Sequence, residues 1–135
     1  NIANVDEATL LASAARTSAT NSADQINQVG IKGALVMLNV TVAGGALKTL
    51  QINLEAKDPI SGNYISIATT GLIGTTVTPV GSYGLGVYPG AGNLVPSVLT
   101  GFFAGPIGLP RVYRVRVIPN DGTSWTYSVS RCLLR

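Results

Sequence analysis

Arginine is the residue type in this chain whose number and spacing carry chemistry. Arg111, Arg114, Arg116, Arg131 and Arg135 place five of the nine basic residues in the last 25 positions, against one acid, Asp121. A guanidinium stays charged at any ordinary pH and offers five N–H donors in a fork that fits carboxylate or phosphate. Its chemistry here is therefore anion recognition, not proton transfer. Two readings of the cluster stand: two solvated strand faces, or a positive patch that meets acidic protein. Lysines do not cluster there and no exposed aromatics interleave with the arginines, so nucleic acid is not the expected partner.

Other chemistry is missing. The chain has no histidine, which removes the commonest general base and metal ligand. Cys132 is the only cysteine, so it has neither a disulfide partner nor a histidine to activate it, and structural zinc would need more ligands. In a terminal strand it reads as a small buried hydrophobe. The six acids are scattered except for Asp6-Glu7, which would point to opposite faces of a strand. Gly84-Leu85-Gly86-Val87-Tyr88-Pro89-Gly90 superficially resembles a nucleotide fingerprint, but proline stands where the third glycine belongs and no helix follows. No catalytic, cofactor-binding or metal-ligating set emerges, and the sequence argues against an enzyme.

The elements that position these arginines follow from periodicity. Tyr113, Val115 and Val117 alternate with Arg114 and Arg116; Trp125, Tyr127 and Val129 alternate with Thr126, Ser128 and Ser130. Both runs have the period of half-buried strands, and Asn120-Asp121-Gly122 between them tolerates positive φ. We read them as a β-hairpin that puts the aromatic rings inward and the arginines outward. Lys32 to Val42 is nearly continuous in apolar residues and suits a central strand covered on both faces. Leu50, Ile52, Leu54 and Ala56 alternate with Gln51, Asn53, Glu55 and Lys57. A turn at Asp58–Asn63 then leads into a pairing strand from Tyr64 to Thr69.

The remaining segments are less regular. Residues 6–16 have an acidic start with alanines and leucines and suit a short helix. The polar, β-branched stretch after them favours an extended arm over 1–9 that enters a first strand at about Leu10 to Ser18. From Gly71 to Pro110, glycine and proline recur, predicting one or two short strands and a long irregular loop over 89–109. That loop carries Leu94, Val95, Val98, Leu99, Phe102, Phe103 and Ile107. Such side chains either cap the chain's own sandwich or form a surface buried against a partner.

Composition agrees with an all-β reading. Of 135 residues, 46% are hydrophobic and only 11% charged, with 16 glycines and a net charge of +3. Length and composition suit one domain over 1–135, an antiparallel β-sandwich of jelly-roll-like or Ig-like type. So few charges cannot solvate a large free surface, which suggests that a partner covers part of it. No stretch reaches 18 uninterrupted apolar residues, and no secretory signal pattern is seen, so a membrane is not an expected partner.

Several motifs resemble small β-sandwich virion proteins of tailed bacteriophages, of the capsid cement or decoration type. They are Leu10–Thr17 with Ser22-Ala23-Asp24-Gln25, Glu55–Tyr64, Val87-Tyr88-Pro89-Gly90, Leu109–Val115 and Ser124–Val129. Related sequences join the third motif to the fourth by a short polar linker, whereas Ala91–Gly108 is more apolar here. The resemblance implies a structural protein on the outer capsid surface, without cofactors, bound to the major capsid protein and assembled as a homo-oligomer, typically a trimer. Candidate contacts are Arg111, Arg114 and Arg116, with Leu94, Val98, Leu99, Phe102 and Phe103. A tail or fibre subunit is the alternative within phage particles. A carbohydrate-binding module is the alternative outside them, with Tyr83 and Tyr88 as its only available rings.

Overall fold

The computed structural model of the chain describes residues 6–45, 47–70, 72–74, 80–90, 101–105 and 107–135. Among them are ten strands and no helix. These are β1 (Glu7–Arg16), β2 (Thr20–Asn21), β3 (Gln25–Ile26), β4 (Gly33–Val42), β5 (Leu50–Lys57), β6 (Tyr64–Thr69), β7 (Gly81–Val87), β8 (Phe102–Gly105), β9 (Val112–Pro119) and β10 (Trp125–Leu134). One sheet has the order β1-β10-β4-β7-β8 and the other β2-β9-β5-β6, with β3 also on β9. Every pairing is antiparallel except β7 with β8. The two sheets pack face to face as a β-sandwich.

The inner faces follow the alternation in the sequence. Tyr113, Val115 and Val117 of β9 and Trp125, Tyr127 and Val129 of β10 are all 0% exposed. Leu50, Ile52 and Leu54 of β5 and Val36, Leu38 and Val40 of β4 complete the layer between the sheets. Each buried aromatic ring removes about 150–250 Å² from water, worth roughly 4–6 kcal/mol as an upper bound before entropy is counted. Trp125 closes one end of the sandwich. Its indole donates to the Thr123 hydroxyl at 3.2 Å and lies against the backbone of Gly44 and Gly74, where a Cβ would collide with it or crowd it.

Four sequence expectations are corrected. β9 and β10 do not form a hairpin: β9 pairs with β5, and β10 lies between β1 and β4 in the other sheet. Residues 120–124 cross the sandwich instead, with Gly122 at φ +67 and Asp121 accepting from the Thr49 amide at 2.9 Å. Alternation says which face is buried, not which strand lies alongside. β4 is central but covered on one face only, since Met37, Asn39 and Thr41 are exposed on the other.

Residues Glu7–Thr9 are strand β1, in register with Arg131 and its neighbours on β10, so the expected free arm does not extend over 7–9. The helical alternative at 6–16 is not realised. Within the expected loop 89–109, Phe102–Gly105 forms β8, and Phe103 is buried in the core at 6% exposure. It therefore cannot contact a partner directly in this fold.

One edge of each sheet is guarded. The Arg16 side chain folds back along β1, donating to the carbonyls of Ala12 at 2.6 Å and Tyr127 at 3.1 Å while stacking 4.7 Å from the Tyr127 ring. With the two register shifts in β1, this occupies the Ala12 carbonyl on the edge strand, an acceptor that another strand could use. On the opposite sheet, β2 and β3 are two residues each. Between them, Ser22 bonds both backbone groups of Val115.

Candidate partner-binding surface

β9 sets the outer surface of the second sheet, because its even positions face away from the core. Arg114 lies opposite Glu55 on β5, and its Nε donates to Oε1 at 2.7 Å. The guanidinium also stacks on the Tyr64 ring, 3.4 Å from its centroid. Tyr64 in turn donates to Asp24 at 2.7 Å, and Lys57 donates to the other oxygen of Asp24 at 3.0 Å. The Tyr64 hydroxyl, and after it Lys57, hold the Asp24 carboxyl below its ordinary value, while Asp24 raises Lys57. Arg114 is thus one member of a closed polar network, not a free cation.

The three candidate arginines do not form one row. Arg111 precedes β9 and is exposed at the end of the sandwich, where the Asn27 amide donates to its carbonyl at 2.6 Å. Arg116 projects outward between Asn21 on β2 and Asn53 on β5. Neither side chain has a hydrogen-bond or ion-pair partner among the described residues. Arg131 points inward, donating to the Tyr113 hydroxyl and to Gln25 at 3.1 Å, so it braces the two sheets. Leu94, Val98, Leu99 and the side chain of Phe102 lie outside the described residues.

The carboxylates explain the electrostatics. Asp6 pairs with Arg135 at 3.1 Å, Asp24 with Lys57, and Glu55 with Arg114. Asp58 accepts from the Ile60 amide and the Ser61 hydroxyl of its own turn, and those bonds lower its carboxyl below the ordinary range. Asp121 holds Thr49, and Glu7 is also engaged. All six acids therefore have partners, whereas Lys32, Lys48, Arg111 and Arg116 have none among the described residues.

Lys32 and Lys48 did not stand out in the sequence, since each is a solitary lysine, one at the head of the apolar run Lys32 to Val42 and one in the segment after it. The tyrosines available to a sugar are otherwise occupied. Tyr83 packs against the core from β7, and Tyr88 donates to the Arg135 carbonyl at 3.1 Å. Among the described residues no three His, Cys, Asp or Glu side chains converge as a metal site, and no helix is long and apolar enough to cross a membrane. No protein-family model and no curated protein matches the chain.

Proposed function

We propose that the chain is a non-enzymatic structural protein of a phage particle, binding the outer surface of the head as a homo-oligomer and strengthening it. The observation that carries this reading is an asymmetry between acids and bases: every carboxylate is engaged within the fold, while the exposed or half-exposed Lys32, Lys48, Arg111 and Arg116 have no partner among the described residues. A sandwich with one guarded edge on each sheet and free cations fits docking on an acidic protein surface better than strand exchange with it. The motif resemblance supplies the identity of that surface, the major capsid protein.

The test is to mix purified protein with heads that lack it, then measure bound copies and the temperature of genome release across a salt series. Wild-type protein should saturate the heads and raise the release temperature. Arg111→Ala with Arg116→Ala should slow capture and flatten its salt dependence, since exposed charges act mainly on association. Failure of the wild type to bind heads, with the protein recovered only in tails, would refute the assignment and favour a tail subunit.

A further inference from the structure

We infer that Leu47 is an anchor that seats in an apolar pocket on the head surface, with a carboxylate at the pocket's rim meeting Lys48. This rests on the head binding proposed above and names one contact within it. Leu47 stands between β4 and β5, 81% exposed and with φ at +62. In that left-handed region a bulky side chain brings its Cβ against the following carbonyl, a strained arrangement. Elsewhere the chain meets positive φ with glycine, eight times, and Leu47 is the one exception among the described residues. Glycine at 47 would relieve the strain. The leucine gives the fold little in exchange, because most of its surface stays in water.

Exposure alone does not single this residue out. Val29 and Ile60 are 102% and 95% exposed, but neither has positive φ, and lone apolar side chains on a surface are ordinary. Leu47 joins exposure to backbone strain, a pairing found at ligand clamps. Its mounting is firm. The Lys48 amide donates to the Gly45 carbonyl at 3.2 Å. The Thr49 amide donates to Asp121 at 2.9 Å, and the Thr49 carbonyl accepts from the Asn120 amide at 3.0 Å. Leu50, next in the chain, is fully buried and bridged to Ile73. The anchor is thus held in place before any partner arrives, which lowers the cost of ordering it on binding. An isobutyl group is accommodated only by apolar surroundings. Lys48 is half-exposed, lies with its Cγ 3.6 Å from where a Gly45 Cβ would be, and has no partner among the described residues. Asp121 keeps its charge beside Thr49, so a rim with one carboxylate toward Lys48 fits better than a ring of them. A lipid surface fits poorly, because one leucine buries little area and Asp121 would face the headgroups.

The test titrates heads that lack the protein with purified wild type, Leu47→Ala, Leu47→Gly and the control Ile60→Ala. Thermal midpoints of the free proteins are recorded alongside. Losing a fully buried leucine side chain should weaken capture roughly 10- to 100-fold in both Leu47 variants. Ile60→Ala should bind as wild type does. Leu47→Gly should melt at or above the wild-type temperature, since glycine accepts positive φ without strain. Leu47→Ala keeps the strain and should melt close to wild type.

Leu47 variants that capture heads as wild type does would overturn the inference while leaving head binding intact. A lowered midpoint for Leu47→Gly would also overturn it, because the side chain would then be serving the fold. Sedimentation velocity and flotation with phosphatidylglycerol vesicles cover the other occupants. A wild-type oligomer that Leu47→Ala dissociates, or vesicle binding that Leu47→Ala abolishes, would overturn the head pocket as the occupant. Wild type that fails to bind heads would refute the proposed function, and this inference with it.

Discussion

Gly44 offers the sharpest test of how the core is closed. A Cβ added there would lie closer than 3.0 Å to both Trp125 Nε1 and Thr123 Oγ1, and its backbone is outside the left-handed region, so alanine brings a collision without torsional strain. Gly122 is the opposite case: φ is +67 and nothing lies within 4 Å of its Cβ position, so alanine brings strain without a collision. Overpacking a filled core costs about 1–3 kcal/mol. Displacing the indole also breaks its hydrogen bond to Thr123, worth about 1 kcal/mol more. Gly44→Ala should therefore cost about 2–4 kcal/mol, against roughly 1 kcal/mol for Gly122→Ala. The assay is urea unfolding followed by far-ultraviolet circular dichroism, which also reads variants without Trp125, the chain's single tryptophan. Adding Trp125→Phe should recover at least about 1 kcal/mol relative to the sum of the single changes, because the smaller ring leaves room for the methyl. Equal losses for the two glycine variants, or strict additivity with Trp125→Phe, would refute the described seating of the indole.

Other perturbations probe the remaining interactions. Glu55→Gln leaves the Arg114 guanidinium, 17% exposed, without its counter-charge. It should lower stability by about 1–3 kcal/mol in chemical denaturation, less than a fully buried pair would lose. Arg16→Ala removes the bonds to Ala12 and Tyr127. It should cost about 1–2 kcal/mol, speed hydrogen exchange along Ala12–Ala15 and raise light scattering on storage as the edge opens. In pH titrations of stability, Asp24 and Asp58 are depressed in the fold, so their contribution is full above the ordinary carboxylate value of 3.8 and is lost as pH falls through the lower folded values. Burial raises Tyr113 and Tyr127 above 10.0, so stability should also decline as pH rises past that value, where the unfolded chain releases the protons first.

The parts of the fold legible in the sequence were those governed by period. Tyr113 through Val117 and Trp125 through Val129 sit inward as their alternation required, and β5 pairs with β6 across the turn at Asp58. Pairing between distant strands was not legible. That Arg114 meets Glu55 depends on β9 lying beside β5 in one register, and nothing local to either strand encodes it. The same gap made β9 and β10 look like a hairpin. β4 misled for a different reason: its first outward positions, Leu35 and Met37, are apolar although exposed or half-exposed, so the polar interruptions that mark a one-sided strand begin only at Asn39 and Thr41. Of the candidate arginines, Arg111 and Arg116 are open to a partner, while Arg114 is held by neighbours that only the assembled sheet brings within reach.

The position of β10 bears on how the protein reaches its fold. It is the last strand in chain order, yet it lies in the interior of its sheet, zipped to β1 on one side and β4 on the other. Until it arrives, β1 has no neighbour and the inner face of β4 lacks Trp125, Tyr127 and Val129 opposite β9. A nascent chain can thus assemble the β5–β6 ribbon early, but the first sheet must wait for its keystone, and the loop closed by β1 with β10 spans nearly the full sequence. Topology of this kind predicts slow, all-or-none folding with a late commitment step, and a chain stopped before Trp125 should present one unfinished sheet and the uncovered inner face of the other.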